Sequence, residues 1–252
     1  MRDERRKFYD KNEKAALAAL KKQSEAVAKA AAESEAAALA AIDATEEEIA
    51  EAYSRIYTAT ALYFMAQMWS RYVKKPKPSD KWRKRVVKHI TSRGMKARVK
   101  DVQASTKRMV KATLKEAAKT PIINAAGEQI GTGLAPEKVA SLIRKRWNEK
   151  DGINMTRARR IARTETVSAQ NWASLEGAKA VQEEGIELVR RWIATNDPPR
   201  VRDDHLAAHG QVVGLDEPYY VGGEELDYPG DWMNGSPENT INCRCAEAFD
   251  PV

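Results

Sequence analysis

Few residues of this chain carry reactive side chains. Its 252 residues include two cysteines, three histidines and three phenylalanines, and aromatics make up 7%. Two cysteines cannot staple a small disulfide scaffold, and a bridge between Cys243 and Cys245, separated only by Arg244, would demand awkward backbone geometry. No window approaches the run of about 18 uncharged apolar residues that a membrane span needs. The start, MRDERRKFYDKNEK, is basic and lacks the apolar segment of a secretory signal. These absences predict a soluble protein made in the cytoplasm. In that reducing compartment a close cysteine pair serves as thiol or metal ligand rather than as a disulfide.

What the chain has in quantity is charge, and the charge is divided. The hydrophobic share of 42% permits a real core, and the net charge is +7. Residues 1–150 hold 33 Lys and Arg against 18 Asp and Glu, whereas residues 151–252 hold 10 against 18. Within residues 71–120 the count is 18 basic to 3 acidic. Lys81, Arg83, Lys84, Arg85, Lys88, Arg93, Lys96, Arg98, Lys100, Lys107 and Arg108 are therefore candidate contacts to nucleic acid or to an acidic protein partner. No zinc finger or basic zipper accompanies them, so any DNA contact would be phosphate-led, salt-sensitive and indifferent to sequence.

Helix formers dominate the first half. From Arg5 to Ile42 the chain is rich in Ala, Glu and Lys with neither Gly nor Pro, which predicts one long helix with a small, closely packing face. Thr45 followed by three glutamates predicts a second helix, Thr45 as N-cap and Glu48 completing a capping box. Its Tyr53, Ile56, Tyr57, Thr60, Phe64, Met68 and Tyr72, spaced three and four apart, read as a core stripe. After Pro76 and Pro78, Ser79 is placed to cap DKWRKRVVKHI, with His89 solvated or half-buried, and a further basic helix follows Gly94.

The stretch PIINAAGEQIGTGLAPEK has Gly127, Gly131 and Gly133 but no Gly-Lys-Ser/Thr ending, so it reads as a turn-rich linker and not as a phosphate loop. Pro136 opens a helix with an apolar face of Val139, Leu142, Ile143 and Trp147. The next helix, opened by Asn154 or Thr156, carries Arg160, Arg163 and Glu165, either pairing with neighbouring segments or serving as a catalytic Arg and Glu. ELVRRWIAT then alternates β-formers and reads as a strand.

The segment from Asn196 to Cys245 holds His205, His209, Cys243 and Cys245. A helical turn in DDHLAAHG would put both imidazoles on one face, and an extended strand would do the same for the two thiols. Together they make a candidate tetrahedral zinc set, with Asp197 or Asp204 as a substitute for one histidine. Two alternatives stand beside it: buried structural cysteines with a loop-bonded His205, or a Cys–His nucleophile pair. Between Gln211 and Cys243, 33 residues include five Gly and three Pro, an excursion that needs an anchor at its ends.

Taken in order, Arg160, Ile161, Ala162, Arg163, Thr164, Glu165, Thr166 and Asn171, a strand ending in Trp192, then Asp197, Arg200, Arg202, His205 and Gly210, and finally Asn242, Cys243, Arg244 and Cys245 resemble the phage Mu F-like head morphogenesis, or minor capsid, proteins. The resemblance covers roughly residues 100–250. It implies a protein of the capsid interior near the portal, present in few copies and supporting head assembly and DNA packaging or delivery. Implied partners are the portal protein, capsid or scaffold proteins and packaged DNA, with no membrane. Some relatives carry an added toxin or enzyme domain after the cysteine motif. This chain ends at Asp250, Pro251 and Val252, so the plain structural form, not an enzyme, is expected.

The sequence thus predicts a mainly α protein with a small α+β C-terminal domain: a helical arm over 1–75, a basic helical region and linker over 76–134, and a Mu F-like domain over 135–252. Two other functions compete: a metal-dependent nuclease or hydrolase using the His/Cys cluster, and a free DNA-binding protein without sequence preference.

Overall fold

A computed structural model describes residues 2–149, 152–195 and 200–252, with residues 2–4, 93 and 136 described by backbone alone. The protein is mainly helical, with a few short antiparallel strands concentrated toward the C-terminus. No helix among the described residues is long and apolar enough to cross a membrane.

The chain forms two compact units, each assembled from separate stretches. One comprises Lys14–Tyr53 and Lys96–Ala158; the other comprises Met1–Glu13, Ser54–Met95 and Arg159–Val252.

The first of these units draws on helices α1 (Arg2–Ala31), α2 (Glu35–Ala44), α3 (Glu46–Tyr72), α5 (Arg93–Ala118), α6 (Pro136–Asn148) and α7 (Ile153–Gln182). Its core joins Val27, Ala28 and Ile42 to Val110, Ile143 and Trp147. The small alanine face packs closely, as its composition implies. A buried amide relay crosses it: Gln23 Nε2 donates to Thr45 Oγ1 at 3.0 Å and to Gln103 Oε1 at 2.6 Å, and Gln103 Nε2 donates to Ile42 O at 2.8 Å.

Several local expectations are corrected here. The single helix over 5–42 is two, because Ser34 caps a new start by accepting from Ala37 N. Thr45 is the C-cap of α2, its hydroxyl donating to Ile42 O at 2.9 Å, while Glu48 pairs with Lys22 at 2.7 Å, so no capping box forms. The supposed linker folds into a hairpin of β1 (Pro121–Ile123) and β2 (Gln129–Thr132). Asn124 Oδ1 closes its turn by accepting from Ala126 N and Glu128 N, both at 2.9 Å.

The other unit takes the remainder of α1, α3, α5 and α7, with α4 (Ser79–Ile90) and the C-terminal elements β3 (Leu188–Ile193), α8 (Asp203–Ala207), β4 (Val212–Gly214), β5 (Tyr219–Val221), β6 (Glu224–Leu226), α9 (Pro237–Thr240) and β7 (Ala246–Pro251). Ser79 lies inside α4, which starts after Pro78 without a side-chain cap. The sheet order is β4-β3-β7, all antiparallel, with Ile193 opposite Ala246 and Leu188 opposite Pro251. Strand β3 is central, and Leu188, Arg190 and Trp192 face the core in alternation.

Candidate metal centre and the arginine-bound motif

The centre is built where α8 and the segment before β7 meet β3. Helix α8 is one short turn, and it turns His205 edge-on to the Trp192 ring, with centroids 5.6 Å apart. Cys243 and Cys245 flank Arg244 immediately before β7, and both thiols belong to the core cluster with Trp192, Tyr219, Val221 and Leu226. His205 Nδ1 lies 3.4 Å from Cys245 Sγ and 3.7 Å from Cys243 Sγ. His205 and Cys243 are 1% exposed and Cys245 is 2% exposed. His205 Nε2 is buried without a hydrogen-bond partner, so the engaged ring nitrogen is the one facing both sulfurs.

The two thiols are not equivalent. The hydrogen bond from Cys245 holds the Cys243 thiol well below its usual range, His205 adds to this, and burial opposes it. The Cys245 thiol is pushed up, first by donating to Cys243 and then by burial. One proton between two sulfurs accounts for both directions.

His209 does not join them. Helix α8 stops at Ala207 with Ala208 as C-cap, so the four-residue spacing no longer keeps the two rings on one face. The His209 ring is exposed, and its Nδ1 accepts from Ala194 N at 3.2 Å. Asp204 is exposed as well, and among the described residues no other His, Cys, Asp or Glu joins the three ligand atoms. Asp197 lies outside the described residues.

Arg163, Thr164, Asn171 and Arg202 bond to the segment 241–245, mostly through its backbone. Asn242 takes the left-handed conformation, φ 64°, which a short amide side chain tolerates. It accepts from Arg163 Nη1 at 2.7 Å through Oδ1, and its N–H donates to Thr164 Oγ1 at 2.9 Å. Arg202 Nη2 donates to Ile241 O at 2.5 Å, and Arg244 Nη1 donates to Arg200 O at 3.3 Å. Asn171 Nδ2 donates to Pro229 O at 2.8 Å and to Cys245 O at 3.1 Å. Burial and the charges of Arg244 and Arg200 lower the Arg163 guanidinium below its usual range. Glu165 is buried, and Arg160 is exposed.

The family described as Phage Mu protein F like protein matches residues 120–248. The chain belongs to that family. It is therefore a phage head-related protein. It is also similar, at 32% identity over 114 residues, to the NAD(+)–arginine ADP-ribosyltransferase EFV of Enterococcus faecalis (strain ATCC 700802 / V583). That match covers 45% of this chain and 23% of the relative, so the chain spans less than a quarter of that protein's length. No solved structure matches the Mu F-like chain.

Two features escaped the sequence. Arg190, 1% exposed, threads the C-terminal loops together: Nε donates to Gly214 O at 3.0 Å, Nη1 to Glu247 Oε1 at 3.1 Å and to Asp227 O, and Nη2 to Glu217 O. The alternation of LVRRWI, with Arg190 on the face of Leu188 and Trp192, was the available signal. The second is the setting of His89, half-buried as expected but caged: its ring stacks on Trp172 at 4.2 Å and lies 5.5 Å from Trp232, and Nε2 is 2.9 Å from Tyr57 Oη. Burial pushes its pKa down to about 4.

The basic candidates separate by unit and by pairing. On α4, Lys81 bonds Glu183 at 2.6 Å and Arg85 bonds Glu176 at 3.3 Å, while Arg83, Lys84 and Lys88 are exposed. On α5, Lys107 pairs with Asp43 at 2.6 Å, Arg98 is half-buried, and Lys96, Lys100 and Arg108 are exposed. The Arg93 side chain lies outside the described residues.

Proposed function

We propose that this phage head protein resides near the portal inside the prohead and meets packaged DNA by phosphate contacts, without catalysing a reaction. The observation that carries the DNA part is the set of exposed cations on α4: among the described residues Arg83, Lys84 and Lys88 have no carboxylate partner. Independently, Lys96, Lys100, Arg108, Lys111 and Lys115 are exposed along α5 at steps of three, four and eight. They fall on one side of a helix stretch about 29 Å long, a rise of about 1.5 Å per residue. Such rows suit a phosphate backbone and read no base edges.

The absence of catalysis is supported by burial. A Cys–His nucleophile must meet its substrate, and His205, Cys243 and Cys245 are 1–2% exposed. The transferase activity named for the Enterococcus relative belongs to a protein of which the match covers 23%. Residence near the portal, and partnership with portal, capsid or scaffold proteins, rest on the family.

Fluorescence anisotropy with duplexes of unrelated sequence tests the DNA contact. Binding should be equal across sequences and weaken linearly in log–log form with salt. Replacing Arg83, Lys84 and Lys88 by Gln should reduce the salt slope by about 2–3, since each lost phosphate contact removes about 0.9. A slope unchanged in that variant, or no binding at low salt, refutes the DNA contact. Co-purification with the portal tests the location.

A further inference from the structure

We propose that His205, Cys243 and Cys245 form a zinc centre, with His205 Nδ1 and the two Sγ atoms as its protein ligands. The centre is independent of the DNA and portal contacts proposed above.

Three observations carry it. The first is spacing: the three ligand atoms all lie within 4.8 Å of one another, with nitrogen–sulfur separations of 3.4 and 3.7 Å. Zinc holds sulfur at about 2.3 Å and imidazole nitrogen at about 2.0–2.1 Å, and tetrahedral arms of those lengths give nitrogen–sulfur edges of about 3.6 Å. The observed pair of distances brackets that edge. The second is donor chemistry. Two sulfurs and one imidazole are a soft set that suits zinc and discriminates against magnesium and calcium, which take oxygen. The third is burial. Two thiolates around a divalent ion and a neutral imidazole sum to zero charge, so the apolar cluster with Trp192, Val221 and Leu226 would hold the loaded centre without an unpaired charge.

This ligand set differs from the four-residue set suggested by sequence spacing, because His209 is exposed and bonded to the Ala194 backbone. The consequence is mechanical. A shared ion would tie α8, which follows β3, to the segment that leads into β7. It would thereby close the ends of the Gly- and Pro-containing excursion from Gln211 to Cys243. That is a folding role, since metal bound only by the native arrangement adds its binding free energy to stability.

Elemental analysis of the full chain purified without chelator should find about one equivalent of zinc, as expected of a single such site. The His209→Ala variant should keep that equivalent, and Cys243→Ser should lose it. Because a folding defect in Cys243→Ser would also lose the metal, cobalt provides a second measurement on the unaltered chain. Replacement of the metal by Co2+ should produce thiolate-to-cobalt charge transfer. Metal well below one equivalent together with no thiolate–cobalt charge transfer overturns the centre. Loss of metal in His209→Ala overturns the three-residue ligand set.

Discussion

Replacing Glu247 by Gln probes the energetics of the C-terminal sheet most cleanly. The carboxyl is wholly buried on β7, bonded to Arg190 Nη1 at 3.1 Å, and burial raises its pKa to about 7 although Arg190 and the Tyr219 hydroxyl oppose the rise. In the unfolded chain a glutamate titrates near 4.3. A carboxyl whose folded pKa is raised contributes stability that is complete below about pH 4.3 and is lost as pH climbs through about 7. By linkage the loss between pH 5 and pH 8 is about 2.5 kcal/mol. Gln cannot ionise, so its variant lacks this slope. It also leaves Arg190 without a counter-charge, a cost that does not vary over this range because Arg keeps its proton. The absolute difference between the two proteins is therefore uninformative, and its pH dependence is the test. Urea unfolding of both at pH 5, 6, 7 and 8 should show the Gln variant gaining about 2–3 kcal/mol relative to the parent as pH rises. A difference flat within about 0.5 kcal/mol would mean that Arg190 keeps Glu247 ionised throughout, and the reasoning would fail.

Three further predictions follow from named contacts. His89, with its pKa pushed down to about 4 by burial against an ordinary 6.5, contributes stability present above 6.5 and lost as pH falls toward 4. His89→Phe should remove about 2–3 kcal/mol of that acid-side loss, read by chemical unfolding at pH 7 and pH 4.5. Asn242→Ala should cost about 2–3 kcal/mol, combining left-handed backbone strain with the lost Arg163 bond, whereas Asn242→Gly should cost less because only the bond is lost; equal melting temperatures for the two variants would contradict this. A Cβ on Gly177 would lie 2.8 Å from Met68 Cβ and 3.1 Å from Met68 Cγ. Gly177→Ala should destabilise by about 1–2 kcal/mol despite its better helix propensity, and an unfolding midpoint equal to or above the parent's would contradict the clash.

Helices were legible because propensity and periodicity act locally. The alanine-rich start, the Pro-bounded α4 and the Pro136-initiated α6 all formed near their expected positions. What was hidden depended on competition between local signals. Ser34 ends an alanine run that contains no Gly or Pro, because a cap satisfies backbone donors that propensity does not count. The β1–β2 hairpin was masked by its glycines, although Ile122, Ile123 and Ile130 flank an Asn124 turn. At the candidate centre, pairwise spacing located His205, Cys243 and Cys245 but could not locate the end of α8, and that end decides where His209 points. Long-range partners were hidden: alternation puts Arg190 on the core face, but its meeting with Glu247, 57 residues later, depends on strand pairing that no window of sequence displays.

The head assignment itself is tested by where the protein sits. Cryo-electron microscopy of purified heads, with cross-linking and mass spectrometry on the same particles, should find this chain in few copies at the portal vertex and cross-linked to the portal protein. Heads lacking the chain, or carrying it spread evenly over the shell, would contradict that placement.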